Sequence, residues 1–132
     1  MPSAIVTAFT HVGAVREVNQ DSIVVGVWTV CANVTPHPQR FWVQLNAPLV
    51  VAIADGLGGH AGGEVASSLA VRGLADLGAG LHAKADVDNA LRQLDLNTYA
   101  AAAAEPDLLG MGTTIAGVLL DGDTAVTFNI GD

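Results

Sequence analysis

The sequence predicts an α+β fold. Runs of β-forming residues cluster near both ends of the chain, and two patterns with helical spacing fill the middle. Between them Leu49 to Ala54 is an unbroken apolar run of strand length, the pattern of a central strand covered on both faces. Strands, then two helices, then strands is not a regular alternation, which disfavours a doubly wound parallel sheet.

Each element follows from its residues. Ser3 to Phe9 alternates weakly and Ile23 to Val30 is rich in Val, Ile and Trp, so each predicts a strand, with Thr10 to Asp21 as the connector. Two prolines within Asn33 to Gln39 predict a loop, and Arg40 to Leu45 a short strand after it. The central strand is expected to stop at Asp55. Past a glycine-rich stretch at 56–63, Ala66, Leu69, Ala70, Gly73, Leu74 and Leu77 recur at helical spacing and predict a helix over 62–77. A second helix is expected to start at Asp86 or Asp88, to bury Val87, Ala90, Leu91, Leu94 and Ala101, and to end at Glu105-Pro106. Thr113 to Leu120 and Thr124 to Ile130 flank Asp-Gly-Asp at 121–123 and predict a hairpin.

Composition bounds the function. The 132 residues suit one domain. Hydrophobic residues make up 51%, enough for a core and against intrinsic disorder. Five Lys and Arg against 13 Asp and Glu give a net charge of -8, which argues against nucleic acid and makes cations the natural small partners. Cys31 is the only cysteine, so neither an internal disulfide nor a thiolate cluster can form. No apolar run approaches the length of a membrane span and the start lacks a signal-peptide pattern, so the expectation is a cytoplasmic protein without membrane contact.

Chemistry concentrates where the apolar run meets Asp55-Gly-Leu-Gly-Gly-His60-Ala-Gly-Gly-Glu64. A carboxylate at a strand end, with the Gly56 carbonyl beside it, offers oxygens suited to Mg²⁺ or Mn²⁺; equally, Asp55 could cap the following helix. Gly58 and Gly63 have the separation of a phosphate loop, but Glu64 stands where a lysine must be. Gly56, Gly58 and Ala61 fit a weak dinucleotide pattern, kept as an alternative. Upstream, Arg16 can hold a phosphoryl group and Asp21 can orient water. His11, His37 and His82 lack zinc spacing and are expected to be structural or surface residues.

Taken in order, Arg-x-x-Asn-Gln-Asp-Ser at 16–22, the glycine block at 55–67, Gly-Thr-Thr at 112–114 and Asn-Ile-Gly-Asp at 129–132 resemble the metal-dependent type 2C protein phosphatases in their bacterial form. The resemblance implies a four-layer α-β-β-α sandwich, here incomplete, with a dinuclear Mn²⁺ or Mg²⁺ centre. It implies that Asp55 bridges the two metals, that the Gly56 carbonyl binds one, that Asp21 holds a metal-coordinated water and that Asp132 serves a weaker third metal. Arg16 matches the phosphate-binding arginine, His60 lies near the position of a general acid in the family's loop and is the candidate for that role, and Gln20 stands where many members have Glu.

The implied activity is hydrolysis of phosphoserine and phosphothreonine in proteins, with phosphoproteins as substrates and a serine/threonine kinase as counterpart. Later motifs of the family are absent. Residues 1–132 are therefore expected to be the N-terminal part of a single phosphatase domain, with little turnover alone and an unpaired sheet edge near Thr124 to Ile130. The alternative of the same fold is a non-catalytic regulatory or binding module.

Overall fold

The computed structural model describes residues 1–58 and 61–131. Five strands come first: β1 (Ser3–Ala8), β2 (Asp21–Val25), β3 (Trp28–Cys31), β4 (Gln39–Gln44) and β5 (Leu49–Leu57). Two helices follow, α1 (Gly62–Leu77) and α2 (Lys84–Ala104), then β6 (Gly112–Thr113), β7 (Ile115–Asp121) and β8 (Thr124–Ile130). The main sheet has the order β3-β2-β5-β7-β8, with β6 on the end of β5, while β1 and β4 form a separate ribbon. All of these pairings are antiparallel. A dinucleotide crevice needs parallel strands joined by a crossover helix, so that alternative falls.

Alternation along the strands divides the core in two. Val24, Val50, Ala52 and Ala54 point to the helices and pack with Val71 and Leu74 of α1 and Val87 and Leu94 of α2. Burying a side chain such as Leu74 contributes roughly 1.5–3 kcal/mol. Ile23, Val25 and Val51 point the other way, to Val6, Ala8 and Phe41 of the ribbon, where the Trp28 and Phe41 rings lie 4.8 Å apart at 55°. The layers are thus helices, sheet and ribbon. The second helical layer of the expected sandwich has no counterpart among the described residues.

Several expectations hold closely: α1 spans 62–77, α2 ends before Glu105-Pro106, and β7 and β8 form the hairpin around Gly122. Among the described residues β8 pairs with β7 alone, so the expected open edge is present.

Others need correction. Ile23 to Val30 is not one strand, because Gly26 takes φ +62° and starts a two-residue turn that pairs Val25 with Trp28. β5 does not stop at Asp55, because Gly56 and Leu57 gain partners in Thr113 and Gly112 of β6. Its second face is only half covered: Ile53 is 58% exposed, beyond the reach of a two-stranded ribbon. α2 begins at Lys84, and Asp86 acts from inside its first turn, accepting from the backbone N–H groups of His82 (2.8 Å) and Ala83 (3.1 Å). Of the expected stripe, Val87, Ala90 and Leu94 are buried, and Leu91 and Ala101 half-buried.

A hydrogen-bond relay pins α1 to the sheet. Ser22 and Ser67 are fully buried with their oxygens 3.0 Å apart. The Ser67 hydroxyl donates to the Glu64 carbonyl (3.4 Å), which leaves Ser22 to donate to Ser67, while the Ala32 N–H donates to Ser22 (3.1 Å). Ser67→Ala orphans a buried donor and is expected to cost about 1–3 kcal/mol in urea melts. Ala32 N–H also reaches the Asp21 carbonyl (3.1 Å), so adding Ser22→Ala should cost little more. Two strictly additive losses would rule the relay out.

Candidate functional site

The register that pairs β2 with β5 sets Asp21 directly opposite Asp55. Asp21 is therefore not part of the connector, as expected, but the first residue of a strand. Both residues lie in an open groove of about 330 Å³, walled by Phe9, Thr10, Ile53, Thr114 and Asn129. Asp21 is exposed as a residue, yet its carboxyl is partly sheltered there. That lost hydration, first, and the neighbouring Asp55 charge, second, hold the Asp21 carboxyl above its ordinary range; the protonated form also hydrogen-bonds to Asp55. Two facing carboxylates of this kind suit a hard cation between them.

Backbone bonds hold the pair in place. The Asp55 carbonyl accepts from the Thr114 N–H (2.9 Å) and the Thr113 hydroxyl (3.0 Å), and the Asp55 N–H reaches the Thr114 hydroxyl at 3.4 Å. The Gly56 N–H donates to the Gln20 carbonyl (3.1 Å). Asn19 is buried, and its side-chain oxygen accepts from the Asp21 N–H (3.1 Å). The sequence marked Gly-Thr-Thr and Asn19 as parts of the family motifs but gave neither a structural role at Asp55 or Asp21. Polar side chains with local backbone reach are the available signal for both.

The glycines serve close approach. A Cβ on Gly56 would collide with the Gly63 carbonyl, and one on Gly63 would lie 2.8 Å from the Gln20 side chain, so the start of α1 can press against β5 and β2. Asp55 does not cap α1: the cap position is Ala61, with no side-chain hydrogen bond.

The remaining expected site residues are more scattered. Gly56 is buried beside Asp55 on β5. Arg16 is exposed on the loop before β2 and makes no salt bridge among the described residues. His60 and Asp132 lie outside the described residues. Among the described residues no three His, Cys, Asp or Glu side chains gather as a metal cluster. His11, His37 and His82 are exposed, as expected, and Cys31 is half-buried at the margin of the core.

A family model described as Protein phosphatase 2C matches residues 37–132. Serine/threonine protein phosphatase PstP of Mycobacterium tuberculosis is 44% identical over 88 residues, which are 63% of this chain and 17% of that protein. Serine/threonine phosphatase stp of Listeria welshimeri is 36% identical over 94 residues, 66% of this chain and 37% of that protein. The crystal structure of PstP/Ppp from Mycobacterium tuberculosis superposes with a TM-score of 0.71 at 32% identity, covering 98% of this chain and 47% of the other. The PstP catalytic domain in complex with two manganese ions gives 0.70 at 32% identity, covering 98% and 48%. The chain thus spans about half the length of these solved structures and less of the curated relatives.

Because folding raises the Asp21 pKa, the stability tied to its protonation is fully present below the unfolded pKa and lost as pH rises through the folded one. Asp21→Asn removes that loss. In chelator it is expected to raise the urea midpoint at pH 7, and the gain should vanish as pH falls below the ordinary carboxylate range. Equal midpoints at pH 7 would show that folding does not raise the Asp21 pKa.

Proposed function

The chain belongs to the protein phosphatase 2C family, and on that premise we propose that it serves metal-dependent hydrolysis of phosphoserine and phosphothreonine in proteins. The observation that carries this reading is the Asp21 and Asp55 carboxylate pair, in register on neighbouring strands at one end of the sheet. The manganese in the related PstP structure supports it. So does the chemistry of the donors, since carboxylates and a backbone carbonyl suit Mn²⁺ and Mg²⁺.

In this proposal Asp55, Asp21, the Gly56 carbonyl and Asp132 would hold the cations. When bound, these supply a water of lowered pKa and draw charge from the phosphoryl oxygens. Asp21, beside Asp55 in the groove, would orient an attacking water. Arg16, carried on an exposed loop, reaches the phosphoryl group with its two-pronged guanidinium, and His60 gives a proton to the departing serine or threonine oxygen.

Phosphoproteins are the substrates and a serine/threonine kinase the counterpart. No helix among the described residues is long and apolar enough to cross a membrane, and a cytoplasmic setting belongs to the proposal. We further propose that residues 1–132 form the N-terminal part of one phosphatase domain. The half-covered face at Ile53 and the coverage of the solved relatives support this.

Titration with Mn²⁺, followed by electron paramagnetic resonance, tests the site. Asp55→Asn is expected to weaken binding ~10-fold or more, since loss even of an outer partner to a metal ligand costs that much. Unchanged binding would sink the metal assignment. Phosphopeptide hydrolysis by residues 1–132 is expected to be slight. Vigorous Mn²⁺-dependent turnover, lost in Asp55→Asn, would uphold the function and overturn the N-terminal-part proposal.

A further inference from the structure

We infer that Asn19 is a positioning residue that sets the Asp21 carboxylate and the arm bearing Arg16 together; its bearing on catalysis rests on the function proposed above. The Asn19 side chain is buried, and both its amide hydrogens and its oxygen are engaged. Its amide nitrogen donates to the Thr10 hydroxyl (2.8 Å) and to the Asn33 carbonyl (2.7 Å), while its oxygen accepts from the Asp21 N–H (3.1 Å). Thr10 is itself fixed, donating its N–H to the Thr35 hydroxyl (3.1 Å) and accepting from the Thr35 N–H (3.0 Å).

Two consequences meet in this one amide. Thr10 and Asn19 close residues 11–18 at the neck, so an arm that is exposed except at Val12 leaves and re-enters the fold at a buried hydrogen bond. Arg16 lies on that arm. The bond to the Asp21 N–H fixes the backbone at the first residue of β2, and with it the direction in which the carboxylate leaves the strand toward Asp55. A side chain filling space alone would need neither the split between donors and acceptor nor three partners on three segments.

Amide exchange by NMR in chelator, with Mn²⁺ titration beside it, tests this role. Asn19→Ala is expected to speed exchange at Asp21 at least about tenfold relative to Val24 on the same strand, and to weaken Mn²⁺ binding about tenfold. Asn19→Asp keeps the acceptor and should restore protection at Asp21 but not over residues 11–18. Thr10→Val should do the reverse of Asn19→Ala at Asp21, leaving it protected while residues 11–18 exchange faster. If Asn19→Ala lowers the melting midpoint yet leaves the Asp21 to Val24 ratio and the Mn²⁺ affinity unchanged, Asn19 only packs and the inference is overturned. Should Asn19→Ala fail to fold, the other two variants decide: Asp21 still protected and residues 11–18 exchanging faster in both upholds the inference, whereas lost protection at Asp21 or unchanged exchange over residues 11–18 in either refutes it. If wild type and Asp55→Asn bind Mn²⁺ equally, the metal assignment fails, and the exchange ratios still decide whether Asn19 positions Asp21.

Discussion

Two negative side chains stand opposite each other because β2 and β5 pair antiparallel in the one register that aligns Asp21 with Asp55. A slip by one residue would turn every side chain of β2 to the other face, burying Asp21 and Ile23 against helices and exposing Val24 to the ribbon. The hydrophobic pattern therefore enforces an arrangement that electrostatics opposes. Val24 on one face and Ile23 and Val25 on the other supply the apolar burial that outweighs a repulsion between two partly hydrated charges.

The rest of the site is backbone carpentry around that pair. β6 is only two residues long, yet it carries β5 past Asp55 and brings Thr113 and Thr114 to the Asp55 backbone. The connector before β2 is tied down at Thr10 and Asn19, and α1 is tied to β2 by Ser22 and Ser67. Gly56 and Gly63 leave room for these segments to touch. Rigid strands thus hold the carboxylates, whereas Arg16 projects from a loop that solvent surrounds.

What was legible in the sequence is what repeats locally. The apolar run 49–54 and the spacing of Ala66, Ala70 and Leu74 fixed the central strand and α1, because a strand or a helix betrays itself in the period of its own side chains. The turn at Gly26 was hidden because Val27 continues a β-rich run on either side of it. The end of β5 could not be read at all, since its last two residues depend on partners at 112 and 113. Asp55 was legible as a candidate through its position at a strand end, Asp21 as a carboxylate on a connector beside Arg16, and both through family resemblance. Their pairing was not, because register belongs to two strands and not to either segment. Asn19 and Thr113 stayed obscure for the same reason: their importance lies in which distant backbone atom each one meets.

Asp21 belongs to the hairpin of β2 and β3, whereas Asp55 lies on a strand whose partners are β2 on one side and β7 on the other. Among the described residues no hairpin or helix contains both carboxylates, so a chain in which only local hairpins and helices have formed holds the two apart. A ligand that requires both then recognises only chains in which β2 has joined β5 across the sequence. Binding there draws the population toward the folded form by mass action, and occupancy becomes a direct gauge of how much of the protein is native.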